Sequence, residues 1–458
     1  MSQYRSIPIT YSRFPALAQN KVLRYLSFSA LYLAQGIPEG LLWFGLPAWM
    51  AMNGKSAAEI AGFVAILGLP WSFKIIAAPI IDRFTWLIMG RRRPWILFGQ
   101  FGLAVSFFSM AFINDPLNNM AMLRLLGFFV GFFAVIQDIA VDGMAIDILP
   151  VDQQARANGL MWGSKTVGIS ASVAAGVYII NEFGFFYAIS SFSALVFLIM
   201  LIPLLIKERP CEKKLPWSKK GGISRNAAKI QMQSWKAVFL SLFRVFVLPV
   251  SLIMGIAAFS FSVGRGLMDT LLPVFTVQHL GWTDGAYSQI FSVVNLASGI
   301  LGMFVAGALI DLFGKIRMIR IYLVLLITVV LTAVLLKSYW DQPAVITAFI
   351  TTFYILVTFT TIAIFASAMN LCWKRISATQ FTLYMAISNL GLATGAWLLG
   401  LLSNILSWEY IMAAYVLFPF LMLSLTPFIH FENHTKRVDL LDEKFAIPVD
   451  KLLLKETA

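Results

Sequence analysis

The chain has 458 residues, of which 59% are hydrophobic and 12% charged, with a formal net charge of +13. A soluble domain carries about 25% charged residues, so this composition excludes a water-soluble globular protein and makes lipid the main solvent. The positive charge follows the loops between apolar runs rather than forming one patch, so topology accounts for it and no nucleic-acid partner is expected.

A spanning helix needs roughly 20 apolar residues, and twelve such stretches are predicted. They run over 25–50, 57–81, 94–113, 120–146, 157–181, 185–206, 248–276, 284–310, 317–337, 343–371, 378–403 and 408–430. No cleavable signal is expected, since residues 1–20 are polar and basic and the first apolar run is long enough to span. The alternating pattern of a membrane β-barrel is absent.

The first span carries Glu39 beside Gly36, Pro38 and Gly40, which open the backbone and leave carbonyls for ligands. The second carries Lys74 and ends in APIIDRF at Asp82, followed by Arg91, Arg92 and Arg93. The fourth holds Arg124, Asp138 and Asp142; the two acids are four residues apart and share a helical face. The fifth holds Lys165. Ionisable groups inside spans are costly unless paired or hydrated, and each is a functional candidate by default. For Asp138 and Asp142 two readings stand: a salt-bridge gate near the terminus side, or substrate and proton binding. Lys74 and Lys165 either pair with a fourth-span acid or contact the substrate or proton.

Residues 207–236 are the one long hydrophilic break, with Lys213, Lys214, Lys219, Lys220 and a Gly221-Gly222 pair, and read as a flexible basic linker. They separate an N-terminal bundle (1–206) from a C-terminal bundle (237–430), and a mobile charged tail (431–458) follows. In the seventh span Arg265 and Asp269 lie one turn apart and are expected to pair. The eighth ends in GALIDLFG at Asp311, followed by Lys315, Arg317 and Arg320; the tenth carries Asn370.

Asp82 and Asp311 lie half a chain length apart, each closing a similar segment before a basic cluster. GLPAWM near the end of the first span matches LLPVFT in the seventh, aligning Pro47 with Pro273 and Glu39 with Arg265. QARANGLMWGSKTVG opening the fifth span matches SATQFTLYMAISNLG opening the eleventh. Six spans per half give both halves the same orientation, hence a parallel repeat with a substrate site between bundles. The fold class expected is an all-α membrane protein of two six-helix bundles.

Outside the spans, Lys55 and Lys337 are the only lysines or arginines on the side away from the termini. This bias places both termini in the cytoplasm. No histidine lies mid-span, so the proton-carrier candidates are Glu39, Asp138, Asp142 and Asp269. Trp43, Trp49, Trp71 and Trp162 are candidates for stacking on sugars, or for interface belts and packing. Cys211 and Cys372 are not expected to form a disulfide. There is no Walker A pattern and no filter-like loop, which leaves a secondary carrier. A polytopic enzyme of the prenyltransferase kind needs two Asp-rich runs at another spacing, and a non-transporting receptor is the remaining rival.

IIDRF followed by GRRRP resembles the cytoplasmic-loop signature of the major facilitator superfamily, and Arg124 with Gly127 and Gly131 loosely resembles its fourth-helix arginine motif. Gly36-Ile37-Pro38, FKIIAAPIIDRF (73–84), GRRRPW (90–95), QDIAVDGMAIDILP (137–150) and SATQF (377–381) resemble AmpG-type permeases and the related acetyl-CoA transporter family. The resemblance implies a proton-driven importer in a bacterial inner membrane; a monomer is expected, with no metal and no cofactor beyond the proton gradient. It implies coupling or gating roles for Lys74, Asp82, Arg91, Asp138 and Asp142; Arg92 and Asp311, in the basic cluster and at the repeat of Asp82, are further gate candidates. It also implies that spans 1, 4, 7 and 10 line the cavity, where Glu39, Asp138, Arg265 and Asn370 lie. The helix-one position of Glu39 is apolar in AmpG-type chains, and QDIAVDG is closer to the acetyl-CoA branch. Muropeptides (GlcNAc-anhydroMurNAc peptides) are the first expected solutes, with siderophores or acetyl-CoA as alternatives.

Overall fold

The computed structural model describes residues 16–444 apart from 56, 219, 220, 233, 283 and 404. Twelve long helical segments are present among them. In the first half these are α1 (21–52), α2 (57–83), α3 (Arg93–Met110), α4 (Met120–Ile148), α5 (Gln154–Phe183) and α6 (Phe185–Leu205). In the second half they are α7 (Pro249–His279), α8 (284–313), α9 (Lys315–Leu335), α10 (Pro343–Leu371), α11 (Ser377–Leu402) and α12 (Trp408–Phe428). All except α1 and α3 are long and apolar enough to cross a membrane by length and composition alone. α1 falls short because Lys21, Arg24, Gln35 and Glu39 interrupt it, and α3 because it is short and opens on an arginine.

Several segments are not regular. α1 passes through a π-helical turn at Leu41–Gly45, α7 through one at Phe275–His279, and α8 through one at Gly302–Ala306. α2 breaks at Phe73, two residues after Trp71 and just before Lys74. Such widened turns collect at functional sites, because they free backbone groups and re-aim side chains.

The two halves repeat the same packing. α1 lies against α5 at Gly40, where an added methyl would reach the Ile169 backbone, and α7 lies against α11 at Gly266, where one would reach Leu392. Gly40 and Gly266 occupy matching places in the Pro47–Pro273 alignment. With little hydrophobic force between helices in lipid, close backbone approach supplies the van der Waals energy instead.

The described chain ends and five connections gather at one face. Leu17 N–H donates to Lys207 O at 2.9 Å, Arg24 Nη2 to Gln153 Oε1 at 2.7 Å, and Lys315 Nζ lies 5.9 Å from the Phe431 ring. This face carries most of the loop lysines and arginines and is called the basic face below. One hydrophobic core joins both halves towards this face, through Leu31, Ile139 and Met161 with Leu267, Ile362 and Phe365. A second core, with Leu46, Phe63, Phe107 and Phe185, belongs to the first half alone. The halves are therefore sealed at the basic face and separate towards the opposite one.

Two expectations are corrected. The start of the linker is not flexible: Glu208 and Glu212 are fully buried. The tail is not free either. Residues Phe431–Lys444 form a helix whose His434 is buried with Nε2 2.8 Å from Leu371 O, and Asp442 accepts from Trp373 Nε1 at 2.7 Å. Residues 445–458 lie outside the described residues.

Candidate functional site

Between the halves lies a cavity of about 310 Å³. Glu39, Trp43, Trp71, Trp162 and Lys165 line it from the first half, and Arg265, Thr361, Phe365, Met385, Ser388 and Asn389 from the second. Lys165 Nζ is 2.8 Å from Glu39 Oε2 and lies 5.4 Å from the Trp71 ring and 5.3 Å from the Trp162 ring. A desolvated cation over an indole gains about 2 kcal/mol, so Lys165 is held by one carboxylate and two π faces. Across the cavity Arg265 Nε pairs with Asp269 Oδ2 at 3.2 Å, one turn away as its spacing predicts. Trp162 also stacks on Phe365 of the other half at 5.5 Å and 9°.

Beneath the cavity lies a buried acid pair on α4. Asp138 pairs with Lys74 and accepts from Gln35 Nε2 at 2.7 Å. Asp142 accepts from the Tyr32 hydroxyl, and its Oδ2 has no hydrogen-bond partner among the described residues. Lys74 Nζ also reaches Met385 Sδ of the second half at 3.2 Å. Tyr32 meets Trp162 edge-on at 6.3 Å, so one aromatic step separates the cavity wall from Asp142. The whole group is buried, with Lys74 6%, Asp138 3% and Asp142 1% exposed, which is where an ionisable cluster costs most and does most.

A third layer closes the basic face. Asp82 accepts from Arg91 and Arg92, and across the halves from Thr379 N–H at 2.7 Å and Thr379 Oγ1 at 2.6 Å. Asp147 takes Arg91 Nη1 at 2.9 Å, Arg92 Nε at 3.1 Å and Ser377 Oγ at 2.7 Å. Arg91 donates further to the carbonyls of Lys374 and Arg375. Burial and the Arg92 charge pull the Arg91 guanidinium down, whereas Asp82 and Asp147 outweigh burial and push Arg92 up. The loop is fixed from outside by Glu208, which accepts from the backbone N–H groups of Arg91, Arg92 and Arg93. Gly90 permits this at φ +115°, since a Cβ there would sit 2.6 Å from Glu208 Oε1.

A family model described as the Major Facilitator Superfamily matches residues 28–380. The chain belongs to the Major Facilitator Superfamily. It is 23% identical over 388 residues to the anhydromuropeptide permease of Escherichia coli K12, covering 83% of this chain and 73% of that one. It is 23% identical over 439 residues to a putative transporter AmpG 3 of Rickettsia prowazekii, covering 91% of this chain and all of the other. Among solved structures it superposes on the transporter FucP in its outward conformation with TM-score 0.68 at 13% identity, over 90% of this chain and 99% of that one. A bacterial homologue of the iron transporter ferroportin, in an outward-facing state, gives 0.64 at 13% identity over 91% and 99%. The chain is thus a multi-pass membrane transporter of the superfamily, a secondary carrier and not an enzyme.

Within this facilitator fold the predicted residues separate into groups. Glu39, Lys165 and Arg265 line the cavity, with Asp269 paired behind Arg265. Lys74, Asp138 and Asp142 form the acid layer. Asp82, Arg91 and Arg92 form the closed lock. Asp311 is apart from that lock and pairs with Arg156 Nε of the first half at 3.2 Å. Asn370 is in the last turn of α10, whereas α10 lines the cavity through Thr361, Ile364 and Phe365. Trp49 stacks on Phe185 at 5.7 Å and is packing, while Trp43, Trp71 and Trp162 face the cavity. Lys165 pairs with Glu39 rather than with a fourth-span acid. The residues that sequence reasoning missed are Tyr32, Gln35, Ser377, Thr379 and Glu208. Tyr32, Gln35 and Glu39 follow the three- and four-residue spacing of one helical face, a polar stripe in an apolar span that marks the inward side.

Proposed function

We propose that this facilitator is a proton-coupled importer of a bulky, amphoteric solute, with anhydromuropeptides (GlcNAc-anhydroMurNAc peptides) as the preferred class, in a bacterial inner membrane. The basic face is cytoplasmic by the distribution of loop charge, so the described state, sealed at that face, opens outward. The observation that carries the reading is the cavity wall. Three indoles offer stacking faces for sugar rings, and each cation beside them is already matched by a carboxylate. A charge-balanced wall suits a sugar-peptide bearing both amino and carboxylate groups. A polyanion such as acetyl-CoA would meet Glu39 without an uncommitted cation to compensate. At about 310 Å³ the cavity is near the small end of ligand pockets, so the described state receives the sugar or the peptide head rather than the whole solute. The resemblance to a protein named anhydromuropeptide permease supports the same class.

Coupling in this reading joins the three layers. A proton on Glu39 neutralises the partner of Lys165 and frees that cation for a solute carboxylate. Solute stacked on Trp162 presses on Tyr32, and so on Asp142 and the Lys74–Asp138 pair. Release of the Asp82–Thr379 contact then opens the basic face.

The experiment is uptake into proteoliposomes under an imposed pH gradient, with labelled anhydromuropeptide and with a ferric siderophore and acetyl-CoA as competitors. Accumulation that collapses with a protonophore is expected for the muropeptide. Binding without accumulation would make the protein a receptor, and preferential accumulation of a competitor would replace the solute class.

A further inference from the structure

A second and larger hollow, about 900 Å³, lies at the basic face where α2 ends and α3 begins, and it takes no part in the solute route. Its walls are apolar and aromatic: Phe84, Trp86, Leu87, Trp95, Phe98 and Met232. Its polar lining is Arg83 with Thr85 and Gln231, and Thr85 Oγ1 donates to Gln231 Oε1 at 2.5 Å.

Arg83 is held loosely. Nη1 reaches Met232 O at 3.5 Å, the guanidinium lies 5.3 Å from the Phe84 ring, and no carboxylate pairs with it among the described residues. Its Nε is buried without a hydrogen-bond partner. Buried polar donors are normally satisfied, and a guanidinium left unmatched calls for an anion. The neighbouring arginines differ in having their charge matched or their donors taken: Arg91 and Arg92 pair with Asp82 and Asp147, although Arg91 Nε also lacks a hydrogen-bond partner among the described residues, and Arg93 donates to five carbonyls.

The hollow is continuous with the lipid-facing surface. Phe98, Phe101, Val105 and Phe108 are 50%, 55%, 39% and 39% exposed, and they fall on one stripe of α3 that starts in the hollow and runs into the membrane. On the other side stands the amphipathic helix Trp235–Phe246, whose Trp235, Phe239 and Phe243 are exposed on one face. Phe84 meets Trp235 edge-on at 5.7 Å. Aromatic rings and an amphipathic helix of this kind belong at the boundary between headgroups and acyl chains.

The geometry points to a built phospholipid site, with the lipid phosphate on Arg83 and an acyl chain along the α3 stripe. The basic surroundings favour an anionic headgroup, phosphatidylglycerol in a bacterial membrane, over a neutral one.

Native mass spectrometry of the full-length protein, delipidated in detergent and titrated with phosphatidylglycerol or phosphatidylcholine, tests the site. One phosphatidylglycerol is expected to bind in preference to phosphatidylcholine. Arg83→Gln is expected to weaken it about fivefold, the value of one surface cation towards anionic lipid, and Arg83→Lys to retain it. Leu97→Trp, which fills the hollow and leaves Arg83 in place, is expected to abolish retention. Melting of each lipid-free variant shows that it is folded. Equal retention by wild type, Arg83→Gln and Leu97→Trp overturns the site. Binding that arises only after deletion of residues 2–15 also overturns it, and assigns the hollow to the chain's own N-terminal segment.

Discussion

Replacing Asp82 by asparagine should open the basic face. Asp82 makes two bonds across the halves, to Thr379 N–H at 2.7 Å and Thr379 Oγ1 at 2.6 Å, and both must break when the faces part. A hydrogen bond to a charged group contributes about 1.5–3 kcal/mol net, so the two together hold the closed state by about 3–6 kcal/mol. An asparagine keeps one oxygen acceptor worth about 1 kcal/mol, so the substitution forfeits at least about 2 kcal/mol. Every 1.4 kcal/mol is about tenfold, so the open fraction should rise by about 30-fold or more. Loss of the charge on which Arg91 and Arg92 converge adds to the effect. The chain carries its own reporter. Cys372 is 9% exposed at the basic end of α10, and the carboxylates acting on its thiol are Asp82, Asp142 and Asp147 of the other half. In a Cys211→Ser background, maleimide labelling of Cys372 should quicken with the open fraction, beyond the smaller gain from removing one carboxylate that acts on the thiol. Solute affinity should be largely kept while transport slows. Unchanged labelling in a folded Asp82→Asn protein, or loss of solute binding as the main defect, would refute the gate assignment.

Glu39→Gln should remove the pH dependence of uptake if the carboxylate beside Lys165 is the proton carrier; a pH profile like that of the wild type removes Glu39 from the proton path. Gly90→Ala should destabilise the protein by at least about 1–3 kcal/mol, the cost of a strained backbone conformation, since it sits at φ +115° with Glu208 Oε1 2.6 Å from the new methyl; melting in detergent checks this. Burial beside Glu208 pushes the Glu212 carboxyl up to about 8. A raised folded-state carboxyl favours the protonated form, so the buried contact weakens as pH rises from the ordinary carboxylate range through about 8. Hydrogen exchange at 207–214 should therefore be faster at pH 9 than at pH 6 beyond its intrinsic dependence, and Glu212→Gln should flatten the difference.

The half-chain repeat and the intramembrane charges made the fold and most of the site legible in the sequence, because lipid makes every spanning charge conspicuous. Lys74, Asp138 and Glu39 stand out for that reason. Their neutral partners Tyr32 and Gln35 do not, since a hydroxyl or an amide in an apolar run carries little signal unless its helical face is traced. Glu208 was hidden differently. It lies in a hydrophilic, basic stretch that reads as a linker, and only the folded chain shows three consecutive backbone N–H groups converging on it. Asn370 failed for a further reason: helix number alone does not say which turn reaches the cavity.

Asp82 and Asp311 grip equivalent partners with unequal strength. Ser377-Ala378-Thr379 opens α11 as Gln154-Ala155-Arg156 opens α5, so Thr379 and Arg156 hold the same slot in the two halves. Asp82 of the first half takes Thr379 of the second, and Asp311 of the second takes Arg156 of the first at 3.2 Å. The side chains of Asp82, Arg91 and Arg92 are fully buried, while those of Asp311 and Arg156 are 16% and 39% exposed. An exposed pair is worth about 0–1 kcal/mol, against the several kcal/mol at Asp82. Asp311→Asn should thus raise Cys372 labelling by less than about fivefold, the factor that 1 kcal/mol allows. The double variant should behave as Asp82→Asn does. Equal effects of the two single substitutions would mean that the gate is symmetric, and that burial of the first copy serves folding rather than switching.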